Sequence, residues 1–149
     1  MLTSLGHIFL ELVPFYILAI YKMNSWYKTL KKSSLTPPPY VFGVVWPILY
    51  LSMFVSTYML WNHKKCFPYC SPLTFFFIQL ALNLIWTTLF FKLKKPIIAL
   101  IDLFFIIVFT AITIRQYYTI YPLSAFFLVP YFMWISFAFY LNTYIVLHN

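Results

Sequence analysis

Charge is the scarcest ingredient of this chain. Only 8% of its 149 residues are charged, and just two of them, Glu11 and Asp102, are acidic. A soluble domain carries about 25% charged residues, and a chain that is 64% hydrophobic has too little polar surface to cover itself in water. An ordinary soluble domain is thereby excluded. Two lone carboxylates on separate stretches place no acid–base pair within reach of one substrate. Glycine is almost missing as well, at two residues, and the sequence holds no glycine-rich phosphate loop, nucleophile elbow or HExxH pair. The three histidines, His7, His63 and His148, stand at or beyond the ends of apolar stretches, which argues against haem held by histidine within a bilayer. No catalytic residue, no metal site and no required cofactor is therefore assigned.

What is present is apolar sequence in helix-length runs. A spanning helix needs about 20 mainly apolar residues, and five stretches meet that need: 5–21, 40–61, 73–91, 96–114 and 123–147. The fold class expected is an all-α membrane protein, a bundle of five transmembrane helices forming one domain over 1–149. The amino-terminal stretch lacks a basic leader region and a small-residue cleavage site, and Glu11 and Pro14 interrupt it, so it reads as a retained first helix rather than a signal peptide. The longest connection closes on Pro37-Pro38-Pro39, which no helix interior tolerates. Residues 115–122 read as a tyrosine-rich turn.

The net charge of +8 comes from lysines that lie between the apolar runs. That is membrane anchoring, not a nucleic-acid surface. Lys22, Lys28, Lys31, Lys32, Lys92, Lys94 and Lys95 fall on one side of a five-span chain, and Lys64, Lys65 and Arg115 on the other. Seven against three places the first and third loops and the C-terminus inside, with the N-terminus outside. In the second loop Cys66 and Cys70 flank three residues. A disulfide, a metal site shared with His63, and two unpaired thiols are the alternatives; the unpaired thiols are the favoured reading, since spacing alone does not decide.

Helical periodicity sorts the polar and aromatic residues onto faces. Trp46, Tyr50, Met53, Thr57 and Trp61 share one face of the second stretch. Gln79, Asn83, Trp86 or Thr87, and Phe90 do so in the third, and Trp134, Ala138, Leu141, Asn142 and Ile145 in the fifth. Amides are costly against lipid, so Gln79, Asn83 and Asn142 belong in the interior. They serve there either as interhelical hydrogen bonds or as the few polar groups of an apolar ligand cavity. Spacing alone favours the first. Asp102 lies seven residues into the fourth stretch, where Lys94 or Lys95 is the expected partner; Glu11 has none evident.

Specific motifs then appear in order: Trp26-Tyr27-Lys28-Thr29-Leu30-Lys31-Lys32, Pro37-Pro38, Phe42 to Trp46 and Leu49-Tyr50; Gln79-Leu80-Ala81-Leu82-Asn83 with Trp86 and Phe90-Phe91; Ala99-Leu100-Ile101-Asp102-Leu103; and Pro130-Tyr131, Trp134, Phe137-Ala138 and Leu141-Asn142. From Trp26 to Asn142 their order and spacing resemble the TspO/MBR (translocator protein) family. Departures are specific too. Ser33 stands where the family usually has proline, Leu35 and Tyr40 replace common tryptophans, and Ile98 occupies a position often aromatic. Thr87-Thr88 replace a Pro-Pro pair, which predicts a straighter third helix. The first helix lacks the family's glycines. The family's proposed C-terminal sterol pattern lacks its basic residue here, with Leu147 in that place, so sterol binding is unsupported.

The resemblance implies a five-helix bundle with a ligand cavity capped by the first loop. It implies as ligands porphyrins such as protoporphyrin IX, and isoquinoline-type drugs, with a role in sensing, stress response or transport. It places the cavity among Phe42, Trp46, Tyr50, Asn83, Trp86, Phe90, Ile98, Phe105, Trp134, Ala138, Leu141 and Asn142, which shifts the stripe residues from the packing reading to the cavity reading. Aromatic rings would wall a flat ligand, Ala138 would leave it space, and Lys28, Lys31 and Lys32 would meet propionates or else simply anchor the loop. The alternatives are an enzyme degrading porphyrin in light, and a structural or regulatory partner with a vestigial pocket. Relatives form homodimers and occur in bacterial inner and mitochondrial outer membranes; membrane lipid is the remaining partner.

Overall fold

A computed structural model describes residues 25–149, and among them every regular element is helical. The expected first helix, with His7, Glu11 and Lys22, lies outside the described residues. A short helix α1 (Ser25–Thr29) opens the described chain, followed by α2 (Pro39–Trp61), α3 (Ser71–Thr87), a π-helical turn (Thr88–Lys92), α4 (Pro96–Ile120), α5 (Pro122–Phe126) and α6 (Val129–His148). From α2 onward each α-helix carries proline at its first or second position. The missing N–H is harmless there and the fixed φ is already helical.

Among the described residues four segments are long and apolar enough to cross a membrane: Pro39–Trp61, Ser71–Lys92, Pro96–Ile120 and Pro122–His148, of 22 to 27 residues. About 20 helical residues cover 30 Å. Their outer faces show Val44, Ile48, Leu51, Ile97, Ile101, Phe104 and Met133 to the surroundings, a surface suited to lipid rather than water. Inside, α4 packs between α3 and α6, and α2 lies against α5 and α6. Met53, Phe76, Ile106, Tyr117 and Ile135 are fully buried between them.

Three of the sequence expectations, the turn at 115–122, the single helix over 123–147 and the unpaired thiols, need correction. The turn expected at 115–122 is helix as far as Ile120. The buried stripe Ile106, Thr110, Thr113, Tyr117 keeps its three-and-four spacing through that region, so the helix has a face to bury until Pro122 stops it. The single helix expected over 123–147 is two. Pro130 has no N–H to offer the Phe126 carbonyl, and the chain makes a tight turn instead, Leu128 N–H donating to Ala125 O at 3.0 Å. Two α2 hydroxyls cover carbonyls at this break: Ser56 Oγ donates to Ser124 O at 2.6 Å and Ser52 Oγ to Phe127 O.

At Thr87-Thr88 the third span ceases to be α-helical. It widens into the π turn, with Leu93 N–H reaching Thr88 O at 2.9 Å. Finally, Cys66 and Cys70 form a disulfide. They are neither free thiols nor metal ligands, and His63 stacks on Tyr121 instead, ring centres 5.3 Å apart.

Asp102 is buried, with Oδ2 lacking a hydrogen-bond partner. Among the described residues it makes no ion pair with Lys94 or Lys95, which are exposed in the turn before α4.

Candidate ligand cavity beneath the first loop

A chain of buried polar groups ties the helices together below the site. Tyr50 Oη donates to Asn83 Oδ1 at 2.8 Å, Asn83 Nδ2 donates to Tyr131 Oη at 3.0 Å, and Tyr131 Oη donates to Gln79 Oε1 at 2.9 Å. Thr110 Oγ1 approaches the same Gln79 oxygen at 3.5 Å. Side chains from α2, α3, α4 and α6 thus meet in one network. Gln79 and Asn83 act here as interhelical hydrogen bonds, because each finds its partners on neighbouring helices.

The Tyr50 ring leans on Trp46, centroids 5.6 Å apart, and from Trp46 upward the interior turns aromatic. Trp134 of α6 meets Trp46 edge-on at 6.5 Å and Phe42 at 5.6 Å. On the opposite wall Trp86 stacks on Phe90 at 5.1 Å, and Phe91 stands edge-on to both. The π turn brings these two consecutive phenylalanines to one place; such turns recur at functional sites. Between the walls is a cavity of about 70 Å³.

Eight of the twelve expected residues line it: Phe42, Trp46, Trp86, Phe90, Trp134, Ala138, Leu141 and Asn142. Tyr50 and Asn83 lie in the network beneath. Ile98 and Phe105 are exposed on the outer face of α4, so the structure does not bring them to the cavity. The inward stripe of α4 runs through Ala99, Asp102, Leu103 and Ile106, which turns 98 and 105 away; Ala99, not Ile98, packs beside Phe90 and Ile145.

Tyr27, Phe91 and Ile145 also line the cavity. Ile145 belongs to the stripe of α6 already read from the spacing, though it is not among the expected ligand contacts. Phe91 and Tyr27 carry no periodic signal, since one depends on the π turn and the other on a loop folding back.

That loop forms the roof. Tyr27 touches Phe90 and Phe91 edge-on at 6.0 and 5.7 Å, and Trp26 touches Phe90 at 5.7 Å. Burial pushes the Tyr27 phenol above its usual pKa. Lys32 Nζ caps α1, donating to Leu30 O at 2.8 Å and Tyr27 O at 2.9 Å, and sits 5.0 Å from the Tyr27 ring centre. A cation at a helix C-terminus complements its carbonyls. Beside the aromatic cavity lies a second, more open basin of about 390 Å³, lined by Lys28, Lys32, Ser33 and Thr36 among others. Tyr27 and Phe42 belong to both and form the partition. Lys31 is exposed and lines neither.

Polar atoms stand unused in the aromatic cavity's lining. Trp86 Nε1, Trp134 Nε1 and both amide atoms of Asn142 are buried without a hydrogen-bond partner among the described residues. Leaving such a group unmade costs about 1–3 kcal/mol, and native structures hold few of them. A ligand group or an ordered water would remove that cost.

Apolar helices of spanning length around an aromatic cavity, closed at one end by a loop, define the class as a multi-pass membrane protein. The sequence matches the TspO/MBR family over residues 7–147. It is 37% identical over 119 residues to the translocator protein of Homo sapiens, covering 78% of this chain and 70% of that protein. It is also 34% identical to the tryptophan-rich protein TspO of Archaeoglobus fulgidus (85% of this chain, 82% of that one) and 36% identical to that of Chlorobaculum tepidum (81% and 78%). The chain belongs to the TspO/MBR family.

Proposed function

We propose that this protein binds flat hydrophobic ligands of the porphyrin class, protoporphyrin IX-like tetrapyrroles, within the bundle, in sensing, stress response or transport. The observation that carries the reading is the set of unpartnered donors and acceptors on Trp86, Trp134 and Asn142 within an otherwise aromatic lining. Aromatic walls suit a fused ring system, and a few placed polar groups fix its orientation. Lys28 in the adjoining basin offers a charge to an acidic substituent, whereas Lys32 already serves α1. Ligand pockets run from about 300 to 1,000 Å³, so the 70 Å³ cavity must open toward the basin to accept such a molecule. The lid end, with its lysines, lies inside the membrane-bounded compartment on the positive-inside argument. A disulfide in the opposite loop supports that orientation, because disulfides persist on oxidising faces.

The test is a titration with protoporphyrin IX of the protein in nanodiscs, in the dark, following tryptophan fluorescence corrected for porphyrin absorbance. Saturable quenching is expected, weakened at least tenfold by Ala138→Phe, which fills the space beside Trp134. Equal, non-saturating quenching in both proteins means partition into lipid and sinks the proposal. Bleaching of bound porphyrin on illumination, slowed by Trp46→Phe or Trp134→Phe, would assign turnover to the same cavity.

A further inference from the structure

The roof is held to the body of the protein by two polar contacts that the ligand site does not itself require. Asn149, past the end of α6, reaches back to residue 31 with both atoms of its amide. Its Oδ1 accepts from Lys31 N–H at 2.9 Å and its Nδ2 donates to Lys31 O at 3.1 Å. The same Nδ2 also donates to Ile145 O at 2.9 Å, which ties the pair to the last turn of α6. About two and a half turns of α6 lower, Tyr140 Oη and Ser33 Oγ are 3.1 Å apart. Ser33 is buried, and its Oγ also accepts from Leu35 N–H at 3.2 Å.

The loop between these contacts is a small body of its own. Lys32 Nζ gathers the carbonyls of Tyr27 and Leu30, Thr29 Oγ1 donates to Trp26 O at 2.7 Å, and Ser33 O accepts from Thr36 N–H at 3.0 Å. Locally bonded segments move as units rather than unravelling. Its apolar contacts to the bundle include ring edges, Trp26 and Tyr27 against Phe90 and Phe91, and Leu30, which packs on the cluster of Phe90, Ala99 and Ile145.

We infer that residues 25–38 form a lid held shut by a latch on α6, made of the Asn149–Lys31 amide pair and the Ser33–Tyr140 hydroxyl pair. Asn149 and Tyr140 are exposed, so water competes for the latch and it opens without disrupting the core. Opening lifts Tyr27 from Phe90 and Phe91, removes the partition and joins cavity to basin. The meaning of the lid as a gate rests on the ligand-binding reading above; the latch itself does not.

The lid carries its own probe, three lysines at 28, 31 and 32. The full chain in nanodiscs, without ligand, would be treated with trypsin and cleavage located by mass spectrometry. Asn149→Ala, Tyr140→Phe and Ser33→Ala should each raise cleavage at the lid lysines about threefold to tenfold, and Asn149→Ala with Tyr140→Phe should raise it further. Cleavage at Lys64 and Lys65, at the far end of α2, should not change. Unaltered cleavage at the lid, or an equal rise at both ends, would overturn the latch. In stopped-flow mixing with protoporphyrin IX, the latch variants should speed association and dissociation together. Faster lid cleavage with no porphyrin signal in any variant would keep the latch and reject the ligand.

Discussion

At the scale of single residues, Tyr131 and Asn142 sit a few turns apart on one helix and answer opposite demands. Tyr131 is fully buried and its hydroxyl serves two amides at once, accepting from Asn83 and donating to Gln79. Tyr131→Phe leaves both without that partner. Polar contacts between membrane helices contribute about 0.6 kcal/mol on average and up to about 1.7, so a loss near 1 kcal/mol is expected, read as a lower midpoint in denaturant titrations of detergent-solubilised protein. Asn142 is equally buried, yet both of its amide atoms lack partners. Asn142→Leu should therefore raise thermal stability without ligand while weakening porphyrin binding, the exchange of stability for function seen where a site keeps unsatisfied groups. A variant that loses both would show that Asn142 is structural.

At the scale of elements, the break between α5 and α6 shows how a membrane bundle tolerates a helix interruption. Pro130 forces the turn, and the carbonyls of Ser124 and Phe127 are covered by hydroxyls of α2 rather than left to lipid. Backbone groups at membrane depth need such partners. Ser56→Ala should lower stability by about 1 kcal/mol, whereas Ser56→Thr, which keeps the hydroxyl, should recover much of it; equal losses in the two variants would point to packing instead. Gly43 in α2 is a contrasting case. A Cβ there would meet nothing within 4 Å, so Gly43→Ala should be tolerated, and a marked loss of folded protein would contradict this.

The whole molecule has two unlike ends. The lid, the lysine turn before α4 and the end of α6 gather at one, where the cavity lies; the Cys66–Cys70 loop and the His63–Tyr121 stack mark the other. In sealed, oriented vesicles an impermeant thiol reagent should reach the partly exposed Cys70, but not buried Cys66, only after reduction, and from the face opposite to that which labels a cysteine introduced by Lys94→Cys. Labelling of both from one face would refute the arrangement.

By itself, the sequence determined the class, the spans from α2 onward and which residues share the inward faces, while the family resemblance turned those faces into a cavity wall. Apolar runs, proline starts and three-and-four spacing are local properties, and lipid forces polar groups inward wherever the chain folds. The rest was decided between elements. Whether Asn83 served a network or a ligand depended on where Tyr50 and Tyr131 arrived. Ile98 and Phe105 face outward because α4 packs by its other face between α3 and α6, and Tyr27 and Phe91 reach the cavity only through a folded-back loop and a π turn. The Cys66–Cys70 bond likewise needed the loop's path, since spacing permits pairing without requiring it. Periodicity gives the faces of a helix, but which face meets which neighbour is fixed only when all the helices are packed together.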